Sequence, residues 1–267
     1  SRHPGTIPFR SSAAPDAHCP STRPRAPDTL VRMADLEIFA EDWERALAVV
    51  AHPDDMEYGA AAAVARWTGQ GKHIAYVLVS DGEAGISTMP PDEVGPLRRD
   101  EQIASCRVVG VDDVEFLGWP DGSIVEGLAL RSDFAAAIRR HRPEVVLSIN
   151  FRDSWGGPSW NHPDHRAVGR SLLDAVRDAA NPWMFIDRGD PWDGVRFVAF
   201  SGSPQPTHGV DTTDTFDAGV ASLAAHRLYL EHLGGDMASP DEFLRGGATA
   251  GGERLGTSLA ATFEIIG

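Results

Sequence analysis

The stretch "RALAVVAHPDDMEYGAAAAVARW", residues 45–67, decides how this chain is read. "RALAVVAH" (45–52) is a short, continuous apolar run, as expected of a strand buried in a parallel sheet. It ends in a histidine, a proline and two adjacent aspartates. An alanine-rich helix is expected next, over 57–71, with Gly69 and Gly71 marking its end. A buried strand that served only packing would exchange His52 for an aliphatic residue. If Pro53 takes the first helical turn, as its fixed φ favours, His52 and Asp55 face one side and can reach one ion. Asp54 is then offset beside that ion, where a base acting on water would sit. Capping is the competing account, because exposed N–H groups and the helix dipole favour aspartates in a first turn. Capping accounts for the acids but not for His52.

Working outward, strands and helices alternate. "HIAYVLVS" (73–80) reads as a second buried strand, 81–96 as a long loop, and "LRRDEQIASCRVVGV" (97–111) as a helix. "DVEFLGW" (113–119) is a third strand closed by the turn "PDG". A helix over 130–143 and a strand "EVVLSINF" (144–151) follow. A Trp- and Gly-rich loop leads to a helix over 164–179, then a strand over 195–202 and a helix over 217–233. A Gly-rich loop precedes a last strand-like piece, 260–266. This alternation predicts a Rossmann-like three-layer α/β/α sandwich with a mostly parallel sheet. Ligands of such sheets bind beyond the carboxyl ends of the strands.

A second motif occupies that position after the fourth strand. In "NHPDHRAVG" (161–169), His162 and His165 share a helix face at i, i+3, and Asp164 is available as a supporting partner. A lone histidine near a helix start is more often a cap or a surface residue. Two of them, repeating the design of the first motif, shift the balance. Together the motifs supply His, Asp and His ligands plus spare acid/base groups. Three protein ligands and one open position describe a catalytic zinc.

Composition limits the alternatives. The chain has 267 residues, a net charge of −15 and no apolar run long enough to span a bilayer. That charge argues against nucleic acid or an anionic membrane as partner. The two cysteines, Cys19 and Cys106, lie in unrelated contexts, which makes a disulfide framework unexpected and a cytoplasmic location the default. Residues 1–33 are rich in Pro, Ser and Arg without an apolar core, and read as a disordered tail. Residues 34–267 read as a single domain, with Met33 a candidate natural start.

"AHPDDMEYGAAAAVARW" together with "HPDHRAVG" resembles the LmbE-like (PIG-L) zinc-dependent de-N-acetylases, which act on N-acetylglucosaminyl compounds. "SDGEAG", "LRRDEQIAS" and "FLGWPDG" extend the likeness over the chain from about residue 45. The resemblance implies one zinc per chain, with other divalent ions accepted, bound by His52, Asp55 and His165. It implies Asp54 as general base, His162 acting on the tetrahedral intermediate, and Asp164 orienting His162. Arg98 with Glu101, and Asp121, match positions lining the sugar pocket. Trp160 stands where some relatives carry a tyrosine; its indole donates one hydrogen bond but has no phenolic acidity. His226 is either a pocket residue or a packing one. Trp155, Trp160, Trp183 and Trp192 cluster in sequence, either as loop packing or as a sugar-stacking wall.

The expected activity is hydrolytic removal of an N-acyl group, acetyl first, from an N-acylglucosaminyl-type small molecule, with self-association left open. An amidase of thiol conjugates or a natural-product tailoring deacylase would share the chemistry. A non-catalytic sugar- or nucleotide-binding domain is the rival from another class. Against a nucleotide, the first strand–helix turn lacks G-x-G-x-x-G and places carboxylates where a pyrophosphate would lie.

Overall fold

The computed structural model describes residues 35–267; the expected tail over 1–33 lies outside them. The central sheet has eight strands: β1 (Glu37–Ile38), β2 (Arg45–Val50), β3 (His73–Leu78), β4 (Asp113–Phe116), β5 (Val145–Ile149), β8 (Phe197–Ser201), β9 (His208–Asp211) and β10 (Ala260–Ile266). A separate hairpin pairs β6 (Ser154–Gly156) with β7 (Ser159–Trp160). The helices are α1 (Ala61–Gly69), α2 (Pro91–Val108), α3 (Leu128–His141), α4 (Pro163–Ala180), α5 (Phe216–Ala224), α6 (Arg227–Leu233) and α7 (Pro240–Leu255).

The strand order is β1-β9-β10-β8-β5-β2-β3-β4, parallel except where β10 runs antiparallel to β8 and β9. Strand alternation divides the core between two faces. Ala48, Val50, Tyr76 and Leu147 face the layer containing α1, where Trp67 is fully buried. Leu47, Val49, Val77 and Val146 face α3 and α4 through Phe134, Ile138 and Leu172. The three-layer sandwich is therefore the observed architecture.

The chain moves outward from β2 through β3 to β4, then returns to place β5 on the other side of β2. The order thus reverses between β2 and β5, which is where open α/β sheets form their ligand crevice. Both His/Asp motifs follow these two strands.

Four elements differ from the sequence reading. Helix α2 starts at Pro91, not at Leu97: Pro91 opens the first turn with Asp92 and Glu93 beside it, and the helix continues through Pro96. The segment expected as a helix from residue 57 is a run of turns until Ala61. The expected helix over 217–233 breaks at Ala225–His226 into α5 and α6. The Gly-rich segment is helix α7, whose Gly251 and Gly252 lie hard against the chain before and at β10. A Cβ on them would sit 2.7 Å from the Ala260 carbonyl oxygen and 2.6 Å from that of Ser258.

Helix α4 is held equally close to the sheet at Gly169, where a Cβ would meet the Phe151 Cβ at 2.3 Å. His165 lies one turn earlier on the same face. Gly169→Val should cost about 1–3 kcal/mol of stability by overpacking and should displace His165. Urea denaturation and metal titration of the variant check both effects.

Candidate active site

The first motif reaches its geometry by a different route from the one its spacing suggests. Pro53 does not begin a helix. Asp54 has a left-handed backbone with φ of 84°, rare for a residue with a side chain. Its N–H donates to Gln102 Oε1 at 2.8 Å, and its carbonyl accepts from the N–H groups of Glu57 and Tyr58. Arg98 Nη2 donates to Asp54 Oδ2 at 2.9 Å and to the Pro53 carbonyl at 2.7 Å, while Nη1 reaches the Gly82 carbonyl. The tight turn lets the His52 N–H donate to Asp55 Oδ2 at 2.9 Å. His52 and Asp55 therefore share one side, and Asp54 is directed separately.

The second motif supplies the facing wall. His165 Nε2 lies 3.2 Å from His52 Nδ1 and 3.0 Å from Asp55 Oδ1, while His52 Nδ1 lies 3.7 Å from Asp55 Oδ2. The outer partners decide the protonation of both rings. Asn161 Nδ2 donates to the Asn150 and Arg152 carbonyls, so Asn161 Oδ1 accepts from His165 Nδ1 at 2.9 Å. His52 Nε2 faces Asp121 Oδ1 at 3.0 Å and Asp164 Oδ2 at 3.2 Å, both acceptors. In its neutral form each ring thus carries its proton on the outer nitrogen and presents a bare nitrogen inward. Two lone pairs and a carboxylate converge with no proton assigned among them.

This donor set fits a metal ion. Zinc–ligand bonds of about 2.0–2.1 Å at tetrahedral angles place donor atoms roughly 3.3 Å apart, close to the separations here. Charge agrees with geometry. Burial opposes a charge on His52, yet Asp121, Asp164 and Asp55 hold its pKa well above the ordinary value. Burial likewise opposes ionisation of Asp55, but His165 and His52 hold its carboxyl well below the usual range. The cluster demands positive charge.

His162 brings a further ring nitrogen within 4.8 Å of those of His52 and His165. Its Nδ1 is already occupied, accepting the Asp164 backbone N–H at 3.2 Å as the cap of α4. Burial, then His52 and His165, lower its pKa, so the ring is neutral with Nε2 as its donor. The Asp164 side chain does not orient it. That carboxylate accepts from the Gly122 and Ile124 N–H groups and faces His52.

The residues expected to bind the ion, move a proton or meet the sugar line one cavity of about 660 Å³, except Asp164 and Glu101. Two expected sugar contacts have other engagements. Arg98 is buried, its Nη atoms donating to Asp54, Pro53 and Gly82 and its Nε without a hydrogen-bond partner among the described residues, with Tyr229 stacked on its guanidinium. Asp121 is divided between His52 and the Ala84 N–H. Glu101 accepts from the Leu228 N–H and does not line the cavity. His226 is fully buried, its pKa driven down to about 3 by burial and Arg98; among the described residues neither ring nitrogen has a hydrogen-bond partner, and Nε2 stands 3.9 Å from Glu57 Oε2. Trp160 stands on the hairpin at the cavity wall and is 87% exposed, and Trp155 sets its ring edgewise to His165. Trp192 belongs to the opposite end of the sheet, bonded to the Pro143 carbonyl near Arg45 and Arg142.

Gln102 and Asn161 escaped the sequence reading. Gln102 lies one turn after Arg98 on the same face of α2, and Asn161 directly precedes the second motif, so position alone gave the only available signals. Gln102 also donates to Glu57, whose carboxyl burial pushes up to about 7.

Residues 47–176 match the family model described as PIG-L: GlcNAc-PI de-N-acetylase. The match spans just under half of the chain. It is 27% identical over 192 residues to the diacetylchitobiose deacetylase of Thermococcus kodakarensis, covering 69% of this chain and 70% of that one. It is 31% identical over 171 residues to the 1D-myo-inositol 2-acetamido-2-deoxy-alpha-D-glucopyranoside deacetylase 2 of Saccharopolyspora erythraea, covering 54% of this chain but only 61% of that relative. Among solved structures, the N,N'-diacetylchitobiose deacetylase of Pyrococcus horikoshii superposes with a TM-score of 0.75 at 25% identity over 85% of either chain.

Gln102→Leu would leave the Asp54 N–H buried without an acceptor, at a cost of about 1–3 kcal/mol. Because the acceptor sits behind the turn, the inward-facing nitrogens should survive. Chemical denaturation should show the loss while isothermal titration with zinc still gives near-stoichiometric binding.

Proposed function

We propose that this protein is a zinc-dependent N-deacetylase acting on an N-acetylglucosaminyl-type small molecule. One observation carries the reading: the bare nitrogens of His52 and His165 and the Asp55 carboxylate converge beside a separately directed, buried Asp54. The deacetylases similar to this chain support the substrate class.

His52, Asp55 and His165 would hold the ion, with the outer nitrogens fixed by Asp121, Asp164 and Asn161. When bound, a divalent zinc ion supplies Lewis acidity, lowering the pKa of water and polarising a carbonyl. Asp54 takes the proton of the attacking water. Burial pushes its carboxyl up to about 8 against the pull of Arg98, which makes it a stronger base than an ordinary carboxylate. The His162 Nε2–H donates to the oxygen that gains charge as the amide carbonyl becomes tetrahedral. The proton held on Asp54 then leaves with the amine, so water and amide become a carboxylic acid and an amine without another reactant. Arg98 fixes Asp54, and Asp121 fixes His52; both act by positioning. Trp160 offers an exposed indole face against which a sugar ring can stack.

Chelation should abolish amine release from N-acetylglucosaminides, and zinc should restore it. Full activity of metal-free protein would overturn the reading. Three variants separate the roles. His165→Ala should lose metal affinity and activity together. His162→Ala should keep near-stoichiometric zinc while kcat falls on the order of a hundredfold or more. Asp54→Asn should behave like His162→Ala, because an amide cannot accept the water's proton. Metal content and kcat measured side by side distinguish a ligand from an acid/base group.

A further inference from the structure

A second cavity, of about 270 Å³, adjoins the catalytic one and shares Tyr58, Gly59, Gly202 and Phe243 with it. Its origin is mechanical. Helix α7 is pinned to the sheet near its C-terminus, at Gly251 and Gly252, while no residue in its first three turns is buried. The near half of the helix touches α5 through Arg245, whose guanidinium lies over the Phe216 ring, and roofs a space floored by Ala61, Ala62 and Gly219.

The lining is apolar and small. Alanines and glycines alternate with Phe216, Phe243 and Leu244, and no cation lies on the wall, so a phosphate or carboxylate has no partner there. The only acid, Glu57, spends Oε1 on Gln102 and Ser105. Between the two cavities stand Tyr58 and Phe243, ring on edge at 5.4 Å, with the Tyr58 hydroxyl donating to the Met237 carbonyl. Tyr58 and Gly59 follow Asp54 and Asp55 within one short turn. The wall the two cavities share thus begins three residues after Asp55, on the same turn as the proposed base.

We propose that the second cavity receives an aliphatic chain carried by the substrate, on the acyl carbon or on the aglycone, and so selects a lipophilic N-acyl glucosaminide over a plain one. The proposal rests on the deacylase reading for its substrate class, and its test keeps the two apart. Burying each methylene in an apolar site is worth about fourfold in kcat/KM.

Two substrate series supply the test: N-acyl-glucosamines from acetyl to octanoyl, and N-acetylglucosamine alkyl glycosides from methyl to octyl. kcat/KM for amine release should climb by about fourfold per methylene over several carbons in one series, which also names the end of the molecule that enters. Two variants locate the gain. A Cβ on Gly247, which lines the cavity, or on Gly246, on the charged outer face of α7, would meet nothing within 4 Å among the described residues. Gly247→Phe should lower the octanoyl-to-acetyl or octyl-to-methyl ratio toward one, and Gly246→Phe should leave it as in the wild type. Calorimetric affinity of zinc-loaded Asp54→Asn protein, with and without each glycine variant, for N-octanoylglucosamine and for octyl N-acetylglucosaminide gives the same comparison without turnover. Flat profiles in both series, or a gain that survives Gly247→Phe, overturn the proposal. If no compound releases amine, the deacylase reading fails, and the calorimetric comparison of the two variants still decides whether the cavity takes a chain.

Discussion

The site depends on a backbone conformation that its own sequence disfavours. A left-handed residue with a side chain costs on the order of 1–3 kcal/mol, and Asp54 is held there by groups from elsewhere in the chain. Gln102 takes its N–H, Arg98 binds its carboxylate and the preceding carbonyl, and the turns after it use its own carbonyl. Two of the three anchors come from one face of α2. Remove that conformation and His52, Asp54 and Asp55 would point in three unrelated directions. With it, one histidine and one aspartate meet His165 while the other aspartate is set apart, and a base is separated from a binding set within four residues.

Electrostatics then makes the arrangement more than a packing solution. Asp54, Asp55, Glu57, Asp121 and Asp164 are all largely shielded from water, and Arg98 is the one permanent cation that touches an acid among them. Carboxylates brought so close in low dielectric raise one another's pKa unless positive charge is supplied. Asp121 and Asp164 direct their oxygens to the outer edge of His52, which keeps its inner nitrogen free of a proton. The same groups that would be costly as packing are consistent as supports for a cation.

What could be read from the chain, and what could not, divides along a physical line. The buried strands β2, β3 and β5 are mostly aliphatic runs, with Tyr76 and Ser148 the exceptions inside them, and the placement of both motifs after them follows from period and length alone. The local turn was not readable, because a left-handed Asp54 is stabilised by a glutamine 48 residues away. Helix α7 was hidden by glycines that serve close approach to β10, although Pro240, Asp241 and Glu242 do mark its start. The short strands β1 and β9 carry too few residues for any alternation to appear. Arg98 and Asp121 are expected as sugar contacts because they match positions lining the sugar pocket in the family the chain resembles, and both do border the cavity. That their polar atoms are committed to Asp54 and His52 emerges only when three loops, each following a different strand, are brought together.

This division also separates chemistry from selectivity. Every residue proposed to hold the ion or move a proton lies within 47–176, the span shared with the family model. Much of the cavity's far wall lies beyond it: Ser201, Gly202, Tyr229, Met237 and Phe243 come from β8 and the segments around α6 and α7. The strand ends fix the acid, base and ligand geometry on rigid supports, whereas the far wall rests on helices packed more loosely, α6 having no buried residue at all. Substitutions there can reshape what enters without disturbing the convergence of His52, Asp55 and His165. A shared catalytic apparatus with differently shaped pockets is therefore what this architecture favours, since the two draw largely on different parts of the chain.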